Sequence, residues 1–225
     1  MADWVTISSL ATAGGTLVLA VATFSSVRSA NRSARVAERS LMVGLRPVLI
    51  PSREDDPVQR IRFGDGQMLQ VPGHGGAAEL HDGRIFLALG LRNGGNGLGV
   101  IHGWRARRRH DPDTPGAGRV DEAPTLDEFR QQQLDIFIPA GDAGFWQGAL
   151  RDPSLPGYAE VRDAIREGGS VSVDLLYGDH EGGQRSIARF FLVPWPTEDD
   201  RPPTENPMRA VVTRYWAVDG HDPRL

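Results

Sequence analysis

The chain has 225 residues, a formal net charge of −4 and no cysteine. Near-balanced charge argues against a basic nucleic-acid-binding surface, and the lack of thiols excludes disulfides, thiolate zinc sites and cysteine nucleophiles. All 25 basic residues are arginine, which also excludes a lysine Schiff base and a phosphate-loop lysine.

Residues 4–27 read WVTISSLATAGGTLVLAVATFSSV, with no charge and no proline. As a helix rising about 1.5 Å per residue, this run can cross a hydrocarbon core of roughly 30 Å, and a single-pass transmembrane helix is expected over it. Ala20-Val21-Ala22 matches a signal-peptidase site, but a signal peptide needs a basic n-region, and Met-Ala-Asp stands in its place. Arg28, Arg32, Arg35, Arg39 and Arg46 follow the run, whereas Asp3 precedes it. Arginine beside a span is retained on the cytoplasmic side. The expected topology has the N-terminus outside the inner membrane and everything after about residue 28 in the cytoplasm.

Helix is expected to continue to about Val43 and to end at Gly44 and Pro47. Arg28, Arg32, Arg35 and Arg39 fall on one side of it and are expected to contact lipid headgroups. Ala30, Ala34, Ala37 and Leu41 lie opposite at alternating spacings of four and three, which is the spacing of a helix seam. Such small residues favour close helix packing in lipid, so a second copy or another membrane protein is the expected partner. Residues 1–45 thus form anchor and stem, and residues 46–225 a soluble domain.

From Arg46 the apolar period changes to two. Residues 47–51 predict a short strand between prolines, and 60–63 with 67–71 a hairpin around Gly64-Asp65-Gly66. Residues 72–83 read as a loop. Ile85, Leu87, Leu89 and Leu91 alternate, Asn93-Gly94-Gly95-Asn96-Gly97 turns the chain, and Leu98 to Arg108 returns as the partner strand. On that return Val100, His102, Trp104 and Ala106 share one face, and Arg105 and Arg107 the other. Residues 110–124 form a loop rich in proline, glycine and acid. Thr125 and Glu128 fit a capping box. Strands are expected at 134–138 and 145–150, a short helix over Tyr158, Val161 and Ile165 stopped by Gly168, a hairpin over 171–177 and 184–193, and a last strand at 209–218.

Strands in hairpins without βαβ alternation predict a mainly β domain, an antiparallel sandwich of immunoglobulin-like character with one short helix. A small closed barrel is the alternative. The segments Arg46-Pro47-Val48-Leu49, Leu89 to Gly97, Ile138-Pro139-Ala140-Gly141 and Tyr177-Gly178-Asp179 with Gly182 carry a resemblance. The chain resembles uncharacterised bacterial single-pass proteins with an N-terminal anchor, an arginine-bearing stem and a cytoplasmic immunoglobulin-like sandwich. The resemblance implies an architecture and no activity.

Catalytic chemistry finds no foothold. No Gly-x-Ser-x-Gly elbow, phosphate-cradling glycine loop or His-Glu-x-x-His is present, so no catalytic residue and no cofactor is assigned. His74, Glu79 and His81 are close in sequence, but a glycine-rich loop does not fix them as zinc ligands, and no metal is assigned. His102 reads as a hydrogen-bonded histidine on an apolar strand face. Arg105, Arg107, Arg108 and Arg109 form the densest positive patch, read as a solvated face or as a contact for anionic headgroups or an acidic segment. Without aromatic residues between these arginines, nucleic acid is not an expected partner. The expected function is a membrane-tethered cytoplasmic binding module, non-catalytic and accessory or scaffolding. The alternatives are a ligand sensor signalling through the stem and, behind it, an enzyme.

Overall fold

The computed structural model describes residues 4–109, 122–181, 184–195 and 207–218, with side chains from Thr12 onward. Two compact units divide the chain, Met1–Gly44 and Leu45–Leu225. The first is one helix, α1, over Trp4–Gly44. At 41 residues it measures about 60 Å, so length does not limit it. The expected transmembrane span nevertheless finds no support. Among the described residues no helix is long and apolar enough to cross a membrane. The described part of the run is diluted by threonine, serine and glycine and is cut by Arg28, while the side chains of residues 4–11 of the expected span lie outside the described residues.

The second unit is mainly β. Its strands are β1 (Leu49–Pro51), β2 (Gln59–Arg62), β3 (Met68–Val71), β4 (Gly75–His81), β5 (Arg84–Asn93), β6 (Gly99–Arg108), β7 (Arg130–Ile138), β8 (Ala143–Leu150), β9 (Val171–Gly178), β10 (Ser186–Pro194) and β11 (Pro207–Ala217). One short helix, α2, covers Tyr158–Arg166. Nine strands form one antiparallel sheet in the order β1-β5-β4-β11-β10-β9-β6-β7, with β8 paired to β5. The β2–β3 hairpin stands apart, in the register Ile61↔Leu69 set by the turn at Gly66 (φ 91°).

Alternation along the strands builds two apolar layers. Leu87 and Leu89 of β5, Trp146 of β8, Val173 and Leu175 of β9 and Phe190 of β10 belong to the main core. Phe86 and Ala88, on the other face of β5, meet Ile61, Phe63, Leu69 and Val71 of the small hairpin, with Phe63 edge-on to Phe86 at 5.0 Å. Helix α2 adds Tyr158, Val161 and Ala164 to the main core, and the Tyr158 hydroxyl donates to the Gly83 carbonyl at 2.6 Å. Gly168, at φ 65°, follows it, the left-handed residue with which helices commonly end. Thr125 and Glu128 do form a capping box, but it opens a single 3-10 turn over Leu126–Glu128.

Three sequence expectations fail here, each for a local reason. Residues 75–81 are a strand, not a loop, and pair with β5 and β11. Their small side chains are required by close approach, since a Cβ on Gly76 would collide with Leu192 Cδ2 and lie 2.7 Å from the Ala88 carbonyl oxygen. β5 and β6 are not hairpin partners, because β5 pairs with β1, β4 and β8 whereas β6 pairs with β7 and β9. The Asn93–Gly97 segment is a crossover held by the Asn93 side chain. Its Oδ1 accepts from the amides of Val48 (3.1 Å) and Gly95 (3.0 Å), and its Nδ2 donates to the carbonyls of Gly97 (2.6 Å) and Ile138 (2.9 Å). The third failure is His102. It sits at a register break between Ile101 and Gly103, so Ile101 rather than Val100 joins Trp104 and Ala106 in the core, as a one-residue slip requires. Its Nε2 is buried without the expected hydrogen-bond partner.

Tyrosines tie the last strands to the first. The Tyr215 hydroxyl donates to the Leu49 carbonyl at 2.5 Å. Burial, above all, pushes the Tyr177 phenol up to about 12 and raises that of Tyr215. The fold thus favours the neutral phenols, and their contribution is complete below about pH 10 and is lost as pH rises toward 12. Stability is expected to hold up to about pH 10 and then fall, with Tyr177 phenolate absorbance appearing together with unfolding. A phenolate signal from Tyr177 near pH 10 in a still-folded chain would contradict this placement.

Candidate functional site

The nine-stranded sheet curls until its end strands meet without pairing. Beside the 139–142 turn they touch, where a Cβ on Gly144 would lie 2.9 Å from Ile138 Cγ1. Farther along they are bridged by one side chain. Gln132 Nε2 donates to the Gln147 backbone carbonyl at 3.3 Å, and Gln132 Oε1 accepts from Trp146 Nε1 at 3.2 Å. A glutamine here occupies a carbonyl that a neighbouring strand would otherwise bond. The β7 strand also leaves its ladder, because Ile136 pairs with Ile101 and Gln131 with Gly103, so residues 132–135 are skipped.

That excursion opens a cleft of about 440 Å³, lined by Phe63, Trp104, Gln132, Leu134, Phe145 and Gln147, with Arg130 and Arg151. Leu134 is 71 % exposed, and Phe137, farther along β7, is 54 % exposed. Gln147 Oε1 is buried without a partner. Arg130 stacks 5.7 Å from the Trp104 ring centre, and burial lowers its pKa. The lining offers aromatic faces, amide donors and acceptors and a single carboxylate, Asp135, with no nucleophile beside a base. Such a surface is equipped to bind.

A second polar feature crosses the outer face of β6, β9, β10 and β11, where Arg105, Asp174, Arg189 and Arg214 stand in register. Arg189, fully buried, donates Nε to Asp174 Oδ1 at 2.6 Å and Nη2 to Oδ2 at 3.1 Å. Arg105 donates to Asp174 Oδ2 through Nε (3.0 Å) and Nη2 (2.5 Å) and also pairs with Glu128. Trp216 covers the Arg189 guanidinium at 4.8 Å. One carboxylate thus anchors two arginines.

Of the four arginines in the 105–109 patch, Arg105 is taken by Asp174, and Arg108 pairs with Glu167 at 2.6 Å. Arg107 is half-buried, and Arg109 stacks over Phe191 at 4.5 Å. On α1, Arg28, Arg32, Arg35 and Arg39 are exposed, as are Ala30, Ala34, Ala37 and Leu41. Glu79 and His81 share one face of β4, His74 precedes the strand, and Glu79 accepts from Gln67 Nε2 at 3.3 Å. Among the described residues no three histidine or carboxylate side chains are grouped to hold a metal ion.

Sequence reasoning missed the cleft and the Asp174–Arg189 pair. A signal for the pair was present, since Asp174 and Arg189 each interrupt an otherwise apolar strand, and a charge buried in such a place requires a counter-charge. No protein-family model, no curated protein and no solved structure matches the chain.

Proposed function

We propose that the chain is a non-catalytic interaction module, accessory or scaffolding in role, carried on a helical stem and tethered at the cytoplasmic side of a membrane. The observation that carries the interaction reading is the unpaired seam between β7 and β8, with the Gln132 side chain bonded to an edge carbonyl and Leu134 exposed beside it. Exposed sheet edges next to apolar side chains are surfaces at which an extended partner segment adds hydrogen bonds and buries area. The reading of the domain as an immunoglobulin-like sandwich is supported by its antiparallel strands, which curl around the main core.

The tether rests on sequence. The apolar run over residues 4–27 precedes exposed Arg28, Arg32, Arg35 and Arg39, as in the bacterial single-pass proteins that the chain resembles. The small side of α1 at Ala30, Ala34, Ala37 and Leu41 supports a second copy or another membrane protein as its partner. A ligand-sensing role is the second reading. It is favoured by the orphaned Gln147 Oε1 in a cleft whose volume lies within the range of small-molecule sites.

The two readings separate in one experiment. A photoreactive residue placed at Gln133, exposed at the cleft, is expected to crosslink a protein in living cells, whereas the same residue at Arg60 on β2 is not. A small-molecule adduct at Gln133 would transfer the site to the sensor reading. Absence of any adduct there, or equal crosslinking from both positions, would overturn the interaction reading.

A further inference from the structure

Away from the cleft, Arg107, Ser172 and Phe191 form one row across β6, β9 and β10. Register partners on one face stand about 4.5–5.5 Å apart at Cβ, so the serine lies directly between the arginine and the ring. Ser172 is 2 % exposed, and its hydroxyl has no hydrogen-bond partner. A buried hydroxyl left unpaired is costly, and native structures keep few of them without a reason.

Two arginines neighbour Ser172, Arg107 as its register partner on β6 and Arg109 through the ring of Phe191, its register partner on β10. Arg107 is half-buried and makes no hydrogen bond or ion pair among the described residues, unlike its neighbours Arg105 and Arg108. Burial lowers its pKa, and the positive charges of Arg189 and Arg105 lower it further, against the pull of Asp174 and Glu160. Arg109 continues the β6–β9 ladder by donating its amide to the Ser170 carbonyl at 3.0 Å. Its side chain then reaches across β9, to 4.5 Å from the centre of the Phe191 ring on β10.

We propose that Arg107, Arg109 and Ser172 form a seat for a phosphate group. Two arginine forks and a hydroxyl can all donate to an oxyanion, and arginine matches phosphate oxygens two at a time. A tetrahedral phosphate dianion can accept from both forks and still leave an oxygen for the serine hydroxyl, and its second negative charge sets it apart from a carboxylate. The added negative charge also relieves the crowding of Arg107 by Arg105 and Arg189. The contact with the Phe191 ring restrains the Arg109 guanidinium, which limits what is lost when the anion binds. The seat does not depend on the β7–β8 cleft or on what occupies it.

The test uses the full chain in mild detergent, with inorganic phosphate as the probe and calorimetry as the readout. Phosphate is expected to bind, Arg107→Gln to weaken it at least tenfold, and Arg60→Gln, on the separate β2–β3 hairpin, to leave it unchanged. Ser172→Ala is expected to weaken binding several-fold while leaving the phosphate-free melting temperature the same or higher, because the lost hydroxyl had no partner. A second arm measures binding to phosphatidylcholine vesicles with and without phosphatidic acid. Binding that requires phosphatidic acid and is lost in Arg107→Gln assigns the phosphate to a lipid headgroup, and binding of free phosphate alone assigns it to a soluble ligand. If neither probe distinguishes the wild-type chain from Arg107→Gln and Ser172→Ala, the proposal is overturned.

Discussion

Replacing Asp174 with asparagine is expected to cost about 3–5 kcal/mol, the range for removing one partner of a buried ion pair. The side chain is 1 % exposed and accepts from Arg189, which is fully buried, and from Arg105. Asparagine keeps the shape but withdraws the negative charge that Arg189 and Arg105 share, beside the further positive charge of Arg107. Arg105 retains Glu128, so most of the loss falls on Arg189. Replacing both members, Asp174→Leu with Arg189→Met, is expected to recover much of that loss, since neither buried charge then has to be desolvated. Denaturant unfolding followed by the fluorescence of Trp104 and Trp146, which meet edge-on at 5.3 Å in the core, measures both changes. A loss below about 1 kcal/mol for Asp174→Asn would place the pair in contact with solvent.

Asn93→Ala is expected to cost about 3 kcal/mol or more. Its side chain satisfies two backbone amides and two backbone carbonyls from three separate segments, and each buried group left unpaired costs about 1–3 kcal/mol before partial recovery through water. The segments are the entry at Val48, the crossover at Gly95–Gly97 and the end of β7. Asn93→Asp does not rescue the fold, because a carboxylate at Nδ2 faces the Gly97 and Ile138 carbonyls with no proton to donate. A change below about 1 kcal/mol for Asn93→Ala would mean that the crossover holds without its central side chain.

These residues also mark how far the sequence could be read. The β2–β3 and β9–β10 hairpins and helix α2 were legible because their turns and stops are local, set by Gly66, the turn at His180-Glu181 and Gly168. The β4 strand was not, because Gly75 to Ala78 earn their burial by being small rather than apolar, and only Leu192 and Ala88 across the sheet reveal the need. Asn93 to Gly97 carries hairpin chemistry, yet Asn93 uses its amide to join distant segments, a role that no local pattern encodes. The break at His102 is equally silent, and it reverses the inward face of β6. For the candidate sites, the alternation of Arg105 and Arg107 was visible, but their different fates depend on Asp174 and Ser172 across β9. Nothing in Gln131-Gln132-Gln133-Leu134-Asp135 distinguishes an excursion beside a cleft from an ordinary polar strand end. The apolar run over residues 4–27 was plain in sequence, yet the described part of α1 falls short of a membrane span.

The central claim is that the sheet ends in an open seam at β7 and β8, and amide hydrogen exchange on the full chain tests it most directly. Exchange reports which backbone groups are held in stable ladders. The amides of Gln132, Gln133, Leu134 and Asp135 are expected to exchange orders of magnitude faster than those of β9 and β10, which are paired on both edges. Protection of residues 132–135 equal to that of Val173 and Phe190 would mean that the sheet closes on itself as a barrel, and the proposed docking seam would not exist.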